Sequence, residues 1–135
     1  MIKHFAFAAA AALALSGAAE AKDVPGLSGR YVYTASEFCP AGGNSIHQVS
    51  GSIKFDPVTG KAKMDVFVVT GNAPEILHIA TSQTYSNDAD FLNLGTNQYH
   101  ITYGGVAGGN AVYASFVGLV SDGGTCGYQG TITLQ

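Results

Sequence analysis

The chain has 135 residues, a formal net charge of −3 and only 11% charged residues, less than half of the usual share of about 25%. Its six Lys and Arg residues are scattered along the sequence, whereas nucleic-acid binding depends on clustered basic side chains against phosphate. Composition therefore excludes a nucleic-acid-binding protein. A surface so poor in charge must be covered by Ser, Thr, Asn, Gln, Gly and Tyr, as is common in secreted β proteins.

The first 21 residues have the three parts of a secretory signal peptide. Lys3 and His4 make the start basic, residues 5–15 are apolar, and Ala19-Glu20-Ala21 forms an A-x-A cleavage site. The apolar run falls short of the roughly 20 residues needed to span a bilayer. We therefore predict cleavage of residues 1–21 and a single β domain over 22–135. We expect this domain to be secreted or periplasmic, with no transmembrane segment after cleavage.

From residue 22 onward the apolar residues recur with a period of two, which predicts strands and little helix. The first predicted strands cover 30–38, 46–56 and 61–70, and Asp56-Pro57-Val58-Thr59-Gly60 predicts a tight turn between the second and third. Further strands are predicted at 75–84, 91–94, 98–103, 111–120 and 125–134. A polar loop is predicted at 85–90, a short turn at 95–97 and a glycine-rich connection at 104–110.

The two cysteines indicate how these eight strands close. Strands joined by short turns usually form an antiparallel meander, and an exported chain with two cysteines usually joins them in a disulfide. Cys39 lies at the end of the first predicted strand and Cys126 at the start of the last. If those strands lie side by side and antiparallel, the meander closes. We therefore predict an all-β fold of about eight strands closing into a small barrel, with a two-sheet β-sandwich as the alternative.

Candidate metal and catalytic residues do not form a recognisable site. His47, His78 and His100 fall on alternate strands and form no H-x-H pair, although catalytic zinc commonly takes three protein ligands. Residues 87–93 offer oxygen ligands without the spacing of a calcium loop. No G-x-S-x-G motif is present, and disulfide-bonded cysteines supply no thiolate nucleophile. We therefore predict no metal, no cofactor and no catalysis.

The tyrosines give the strongest indication of a ligand. A tyrosine has an apolar ring and a polar tip, which suits a ligand cavity or a contact surface, although ordinary strand packing also favours aromatic residues. An eight-stranded barrel is just wide enough to be filled by side chains or to hold one small ligand. We predict a non-catalytic binding module for a small, partly apolar ligand. The candidate wall residues are Tyr31, Tyr33, Tyr99, Tyr103 and Tyr113, with His100 or Glu37 orienting the ligand.

Two other classes of function stay open. A surface rich in Gly, Ser, Thr and Asn and poor in charge also suits a structural, self-associating envelope or extracellular protein without a small-molecule ligand. An enzyme is the third possibility, and it would require two or more titratable side chains that converge in one pocket.

Overall fold

The computed structural model describes residues 24–42, 45–71, 75–121 and 124–135, so the predicted signal peptide lies outside the described residues. Eight strands follow one another, with one short 3-10 turn at Pro40–Gly42. No helix in the described ranges is long and apolar enough to cross a membrane. The strands are β1 Gly29–Cys39, β2 Ser45–Asp56, β3 Lys61–Thr70, β4 Ile76–Asn87, β5 Phe91–Leu94, β6 Asn97–Ala107, β7 Asn110–Ser121 and β8 Thr125–Leu134.

The strands form a closed antiparallel barrel in sequence order, and β1 pairs with β8. The last pair in the β1–β8 register is Phe38 opposite Gly127. The next residues, Cys39 and Cys126, are joined by a disulfide with their Cα atoms 4.4 Å apart. Both the barrel and the predicted disulfide are therefore confirmed, and the sandwich alternative is wrong.

β4 extends further than the sequence predicts. Its last three residues, 85–87, pair with β5, so the predicted polar loop is wrong over these positions and only 88–90 connect the two strands. The physical reason is Tyr85, whose ring packs on Phe55 with the centroids 4.8 Å apart. That contact keeps the strand against the core despite its polar neighbours.

The glycine-rich connection predicted at 104–110 is also mostly strand. β6 continues to Ala107 and only residues 108–109 form the turn into β7. Gly104 lies opposite Tyr113 in the register, and a Cβ at position 104 would lie 3.0 Å from Cδ1 of that tyrosine. The glycine therefore leaves room for a neighbouring aromatic ring and does not mark a loop.

The barrel has a filled end, here called the lower end, where β1 begins. Apolar side chains that are 2% exposed or less fill it, among them Tyr31, Ile53, Phe55, Leu92, Ile101 and Ile132. The segment before β1 covers this end: Gly26 N donates to the Gly109 carbonyl at 2.8 Å, and Ala111 N donates to the Gly26 carbonyl at 2.9 Å. Leu27 is 2% exposed there. The lower end is therefore a sealed core.

The upper end, where β1 finishes, is open on one side because β5 has only four residues. The turn from β5 to β6 at 95–96 lies at mid-height, and the highest β6–β7 pair is Tyr99 opposite Gly118. β4 pairs with β5 only through residues 85–87. Among the described residues, the upper part of β4 (76–83) therefore has β3 as its only strand neighbour. A slit separates it from the upper part of β7 and leads into the barrel.

Candidate functional site

The slit opens into a cavity in the upper half of the barrel, which we call the upper cavity. It has a large arm of about 330 Å³ and a small arm of about 210 Å³. Both arms are lined by Glu37, Met64, Gln83 and Tyr128, so they meet at these residues. The large arm is walled mainly by aliphatic side chains of β2, β3 and β4: Val49, Val66, Val68, Leu77 and Ile79.

Glu37 and His47 form the polar pair of the large arm. They lie directly opposite each other in the β1–β2 register, and both face inward because each is an even number of residues from a buried neighbour on its strand. The Nδ1 atom of His47 lies 3.1 Å from Oε1 of Glu37. Glu37 is only 9% exposed. A buried carboxylate next to an imidazole could orient a polar ligand group, and it could also support acid–base chemistry.

Three tyrosines surround the small arm. The hydroxyls of Tyr33 and Tyr128 are hydrogen-bonded to each other, and the ring centroids of Tyr99 and Tyr128 lie 5.6 Å apart. Burial raises the pKa of Tyr33 and of Tyr128, and the nearby charge of Glu37 adds to both shifts. Burial also raises the pKa of Tyr99 to about 12. All three hydroxyls therefore stay neutral near pH 7 and can donate or accept hydrogen bonds.

The structure brings three of the seven sequence-predicted ligand residues to this cavity. Tyr33, Tyr99 and Glu37 line the small arm. Tyr31 is fully buried in the lower core, where its hydroxyl donates to the Ala111 carbonyl at 2.6 Å. Tyr31 and the three residues at the cavity all face the barrel interior, and they differ only in their height along the barrel.

The other three predicted residues lie away from the cavity. Tyr103 is at the lower end, where its hydroxyl donates to the Asp88 carbonyl at 2.7 Å. Tyr113 is on the outer face and 41% exposed. His100 is also exposed, with its ring edge-on to Phe91 at a centroid distance of 6.0 Å.

Sequence reasoning missed His47, Tyr128 and the inward side chains of upper β4. The alternation that places Val49 and Ile53 inward also places His47 inward, and the alternation from Cys126 places Tyr128 inward. Those two could have been found by extending the period-two pattern. For Leu77 on β4, alternation gives the face of the side chain but not its exposure, which depends on the height of a distant turn.

The three histidines considered for zinc are not brought together. His47 faces the cavity beside Glu37, whereas His78 is on the outer face with Asp65. His100 is on the outer face of another strand. Polar atoms of Glu37, Cys39 and Cys126 lie within 4.8 Å of one another, but the two sulfurs are bonded to each other.

The oxygen-rich segment considered for calcium is a hydrogen-bonded turn. The Asp88 carboxylate accepts from the backbone N–H groups of Asp90 at 2.9 Å and Phe91 at 2.8 Å. These two bonds hold the pKa of Asp88 below its usual value. The carboxylate therefore has a structural role in shaping the entry into β5.

A second, wider depression lies on the outside of the barrel. It has a volume of about 940 Å³ and runs across β7, β8, β1, β2 and β3 to Ile76 of β4. Its floor carries short polar side chains, including the hydrogen-bonded pair Thr34 and Thr131. Phe67, Val69 and Val117 rim it. It is a shallow surface groove, whereas the upper cavity is enclosed by strands on most sides.

Searches against protein-family models, curated proteins and solved structures found no match to this chain. Its disulfide-linked barrel is consistent with a small exported module. The functional argument therefore depends on the geometry of the site.

Proposed function

We propose that this protein is an exported, non-catalytic binding module that holds a small, partly apolar ligand in the upper cavity. The observation that carries the proposal is the upper cavity beside upper β4, whose large arm has aliphatic walls and a few polar side chains. Small-molecule sites are typically concave and mostly apolar, with volumes of roughly 300–1,000 Å³ and a few placed polar groups. The large arm, at about 330 Å³, falls at the lower end of that range.

The aliphatic walls would gain most from a ligand. Leu77 and Ile79 face the interior, opposite Val68 and Val66 in the register, yet they are 41% and 40% exposed. Removing apolar surface from water stabilises by about 25 cal/mol per Å². A ligand with an apolar body that covers these two side chains would therefore gain binding free energy from their burial.

Export and the lack of catalysis are parts of the same proposal. The buried disulfide supports an oxidising compartment, as does the signal-peptide pattern of residues 1–21. The Glu37–His47 pair fits an acid–base enzyme as well as a binding site. Turnover of a panel of esters, amides and glycosides that is abolished in Glu37→Gln would contradict the non-catalytic part.

Binding can be tested with N-phenyl-1-naphthylamine, a neutral apolar dye whose fluorescence rises in apolar sites. We expect saturable enhancement with the wild-type protein. Thr81→Phe places a ring in the large arm and should weaken binding at least fivefold, because Thr81 lines that arm. Ser82→Phe is the matched control, since Ser82 is exposed on the opposite face of β4. No saturable signal, or equal losses in both variants, would overturn the proposal.

Self-association is a second candidate function, favoured by the edge of upper β4, which pairs only with β3 among the described residues. An exposed strand edge is a template for pairing with another chain. On the outer face beside this edge, Ile76 is 70% exposed and Phe67 is 50% exposed. If this function is correct, sedimentation velocity should show concentration-dependent association without ligand, and Ile76→Lys should weaken it.

A further inference from the structure

We propose that the upper cavity selects ligands that carry an ammonium group on an aliphatic body, with Glu37 as the residue that recognises the cation. This inference rests on the proposed binding function and adds the chemical class of the ligand. Glu37 lies where the two arms meet. Within the described ranges, it is the one acidic side chain that lines either arm.

Among the described residues that line the cavity, the charged groups favour a cationic ligand. The described Lys and Arg side chains, Arg30, Lys54, Lys61 and Lys63, are all exposed, and none of them lines the cavity. The imidazole of His47 lies next to the Glu37 carboxylate. A carboxylate removed from water is stable only with hydrogen-bond donors or an opposite charge beside it. A ligand ammonium would add an opposite charge to the contacts that Glu37 already makes, among them the one with His47.

The small arm adds a second feature that favours a cation. Tyr33, Tyr99 and Tyr128 line it next to Glu37, and the faces of aromatic rings attract cations within about 6 Å of the ring centroid. Because their hydroxyl pKa values are raised by burial, these tyrosines add no negative charge near pH 7. The aromatic rings that line the small arm and the Glu37 carboxylate therefore both favour a cation.

The same charge disfavours anionic amphiphiles such as fatty acids. A ligand carboxylate placed about 4 Å from the Glu37 carboxylate, at an effective dielectric constant of about 20, would lose affinity by a factor of roughly a hundred or more. A neutral alcohol would be only weakly affected. The expected order of affinity for ligands with the same chain is therefore amine, then alcohol, then carboxylate.

The size of the large arm limits the aliphatic body. A water molecule takes about 30 Å³ in the liquid, so an arm of about 330 Å³ has room for about ten groups of methylene size. An eight-carbon chain would fit with its head group at Glu37. The matched ligands are therefore n-octylamine, n-octanol and octanoate.

The test measures displacement of N-phenyl-1-naphthylamine by these three compounds at pH 7. We expect octylamine to displace the dye at a concentration at least tenfold below that of octanol, the effect of one hydrogen bond to a charged group. Octanoate should be the weakest. In Glu37→Gln, the ratio of the octylamine affinity to the octanol affinity should fall to about 1. Asp65→Asn is the control, because Asp65 is an exposed carboxylate on the outer face of β3.

The outcomes separate this inference from the proposed function. If the dye binds but the three compounds displace it equally, or octanoate is the strongest, the cation preference is wrong and the binding function stands. If the dye does not bind, the binding function itself fails. If Glu37→Gln does not fold, the wild-type ligand series still decides, since it needs no variant.

Discussion

Replacing Cys39 and Cys126 together with alanine removes the covalent link between the first and last strands. The bridge joins residues separated by 87 positions. In the chain-entropy model, a bridge that closes a loop of that length lowers the conformational entropy of the unfolded chain. This stabilises the folded state by about 4.5 kcal/mol at 25 °C. A bridge within a loop of about 15 residues would give only about 3 kcal/mol. Since whole domains are stable by about 5–15 kcal/mol, the double variant should lose a large part of its stability.

The measurement is urea unfolding followed by far-UV circular dichroism. We expect the midpoint to fall sharply, and the denaturant slope to rise because the unfolded chain without its bridge exposes more surface. The matched control is Thr34→Ala with Thr131→Ala, which removes an exposed hydrogen bond of 2.9 Å between the same two strands. That control should cost about 1 kcal/mol or less. If the cysteine variant costs no more than the control and the slope is unchanged, the reasoning about the unfolded chain is refuted.

Two further predictions concern packing and pH. Gly130→Ala should cost about 1–3 kcal/mol by overpacking, because its Cβ would lie 2.7 Å from the Thr34 carbonyl oxygen. Gly127→Ala on the same strand has no neighbouring atom within 4 Å and should be close to neutral in the same thermal-unfolding assay, so equal losses would contradict the packing argument. The raised pKa of Tyr99, about 12 against 10.0 for a free tyrosine, means that the unfolded chain loses this proton first. The stabilisation of the fold by protonated Tyr99 is therefore complete below about pH 10 and is lost as pH rises toward 12. Ultraviolet titration should show tyrosine ionisation coupled to unfolding in that window, whereas full ionisation near pH 10 in the folded protein would contradict it.

The closure of the barrel could be predicted because two independent sequence signals agree on it. Period-two alternation defines the strands, and an even number of them makes the first and last strands antiparallel when the sheet closes, so that the end of the first meets the start of the last. The cysteines at those ends then fix the pairing, and the structure joins them one position beyond the last register pair. Neither signal depends on the detailed lengths of the loops.

The incorrect loop predictions lie where local composition and tertiary packing favour different structures. Residues 85–87 and 104–107 are polar or rich in glycine, and both belong to strands. In the first case the burial of Tyr85 against Phe55 outweighs its polar neighbours. In the second, Gly104 makes space for Tyr113. Such contacts between distant residues are not visible in a local window of sequence.

The candidate site could be predicted in part because alternation gives the face of a residue and not its height. Tyr31 and Tyr33 share a face, yet Tyr31 is sealed at the lower end and Tyr33 lines the small arm. The height at which the interior changes from core to cavity is set by the turn at 95–96, which ends β5 after four residues. Only the register of the whole sheet shows where that turn lies.

The disulfide connects the stability of the fold with the geometry of the site. Above the turn at 95–96, the wall is a sheet in the order β4, β3, β2, β1, β8, β7, with the β1–β8 seam among its inner strands and the slit between its edges. Glu37 lies two residues before Cys39, and Tyr128 lies two residues after Cys126. The bridge therefore fixes the seam beside the two residues at which the arms of the cavity meet. The packed core holds the strands together at the lower end, and the disulfide holds them together at the upper end. The strands of the upper end therefore stay in place without side chains that fill the interior between them.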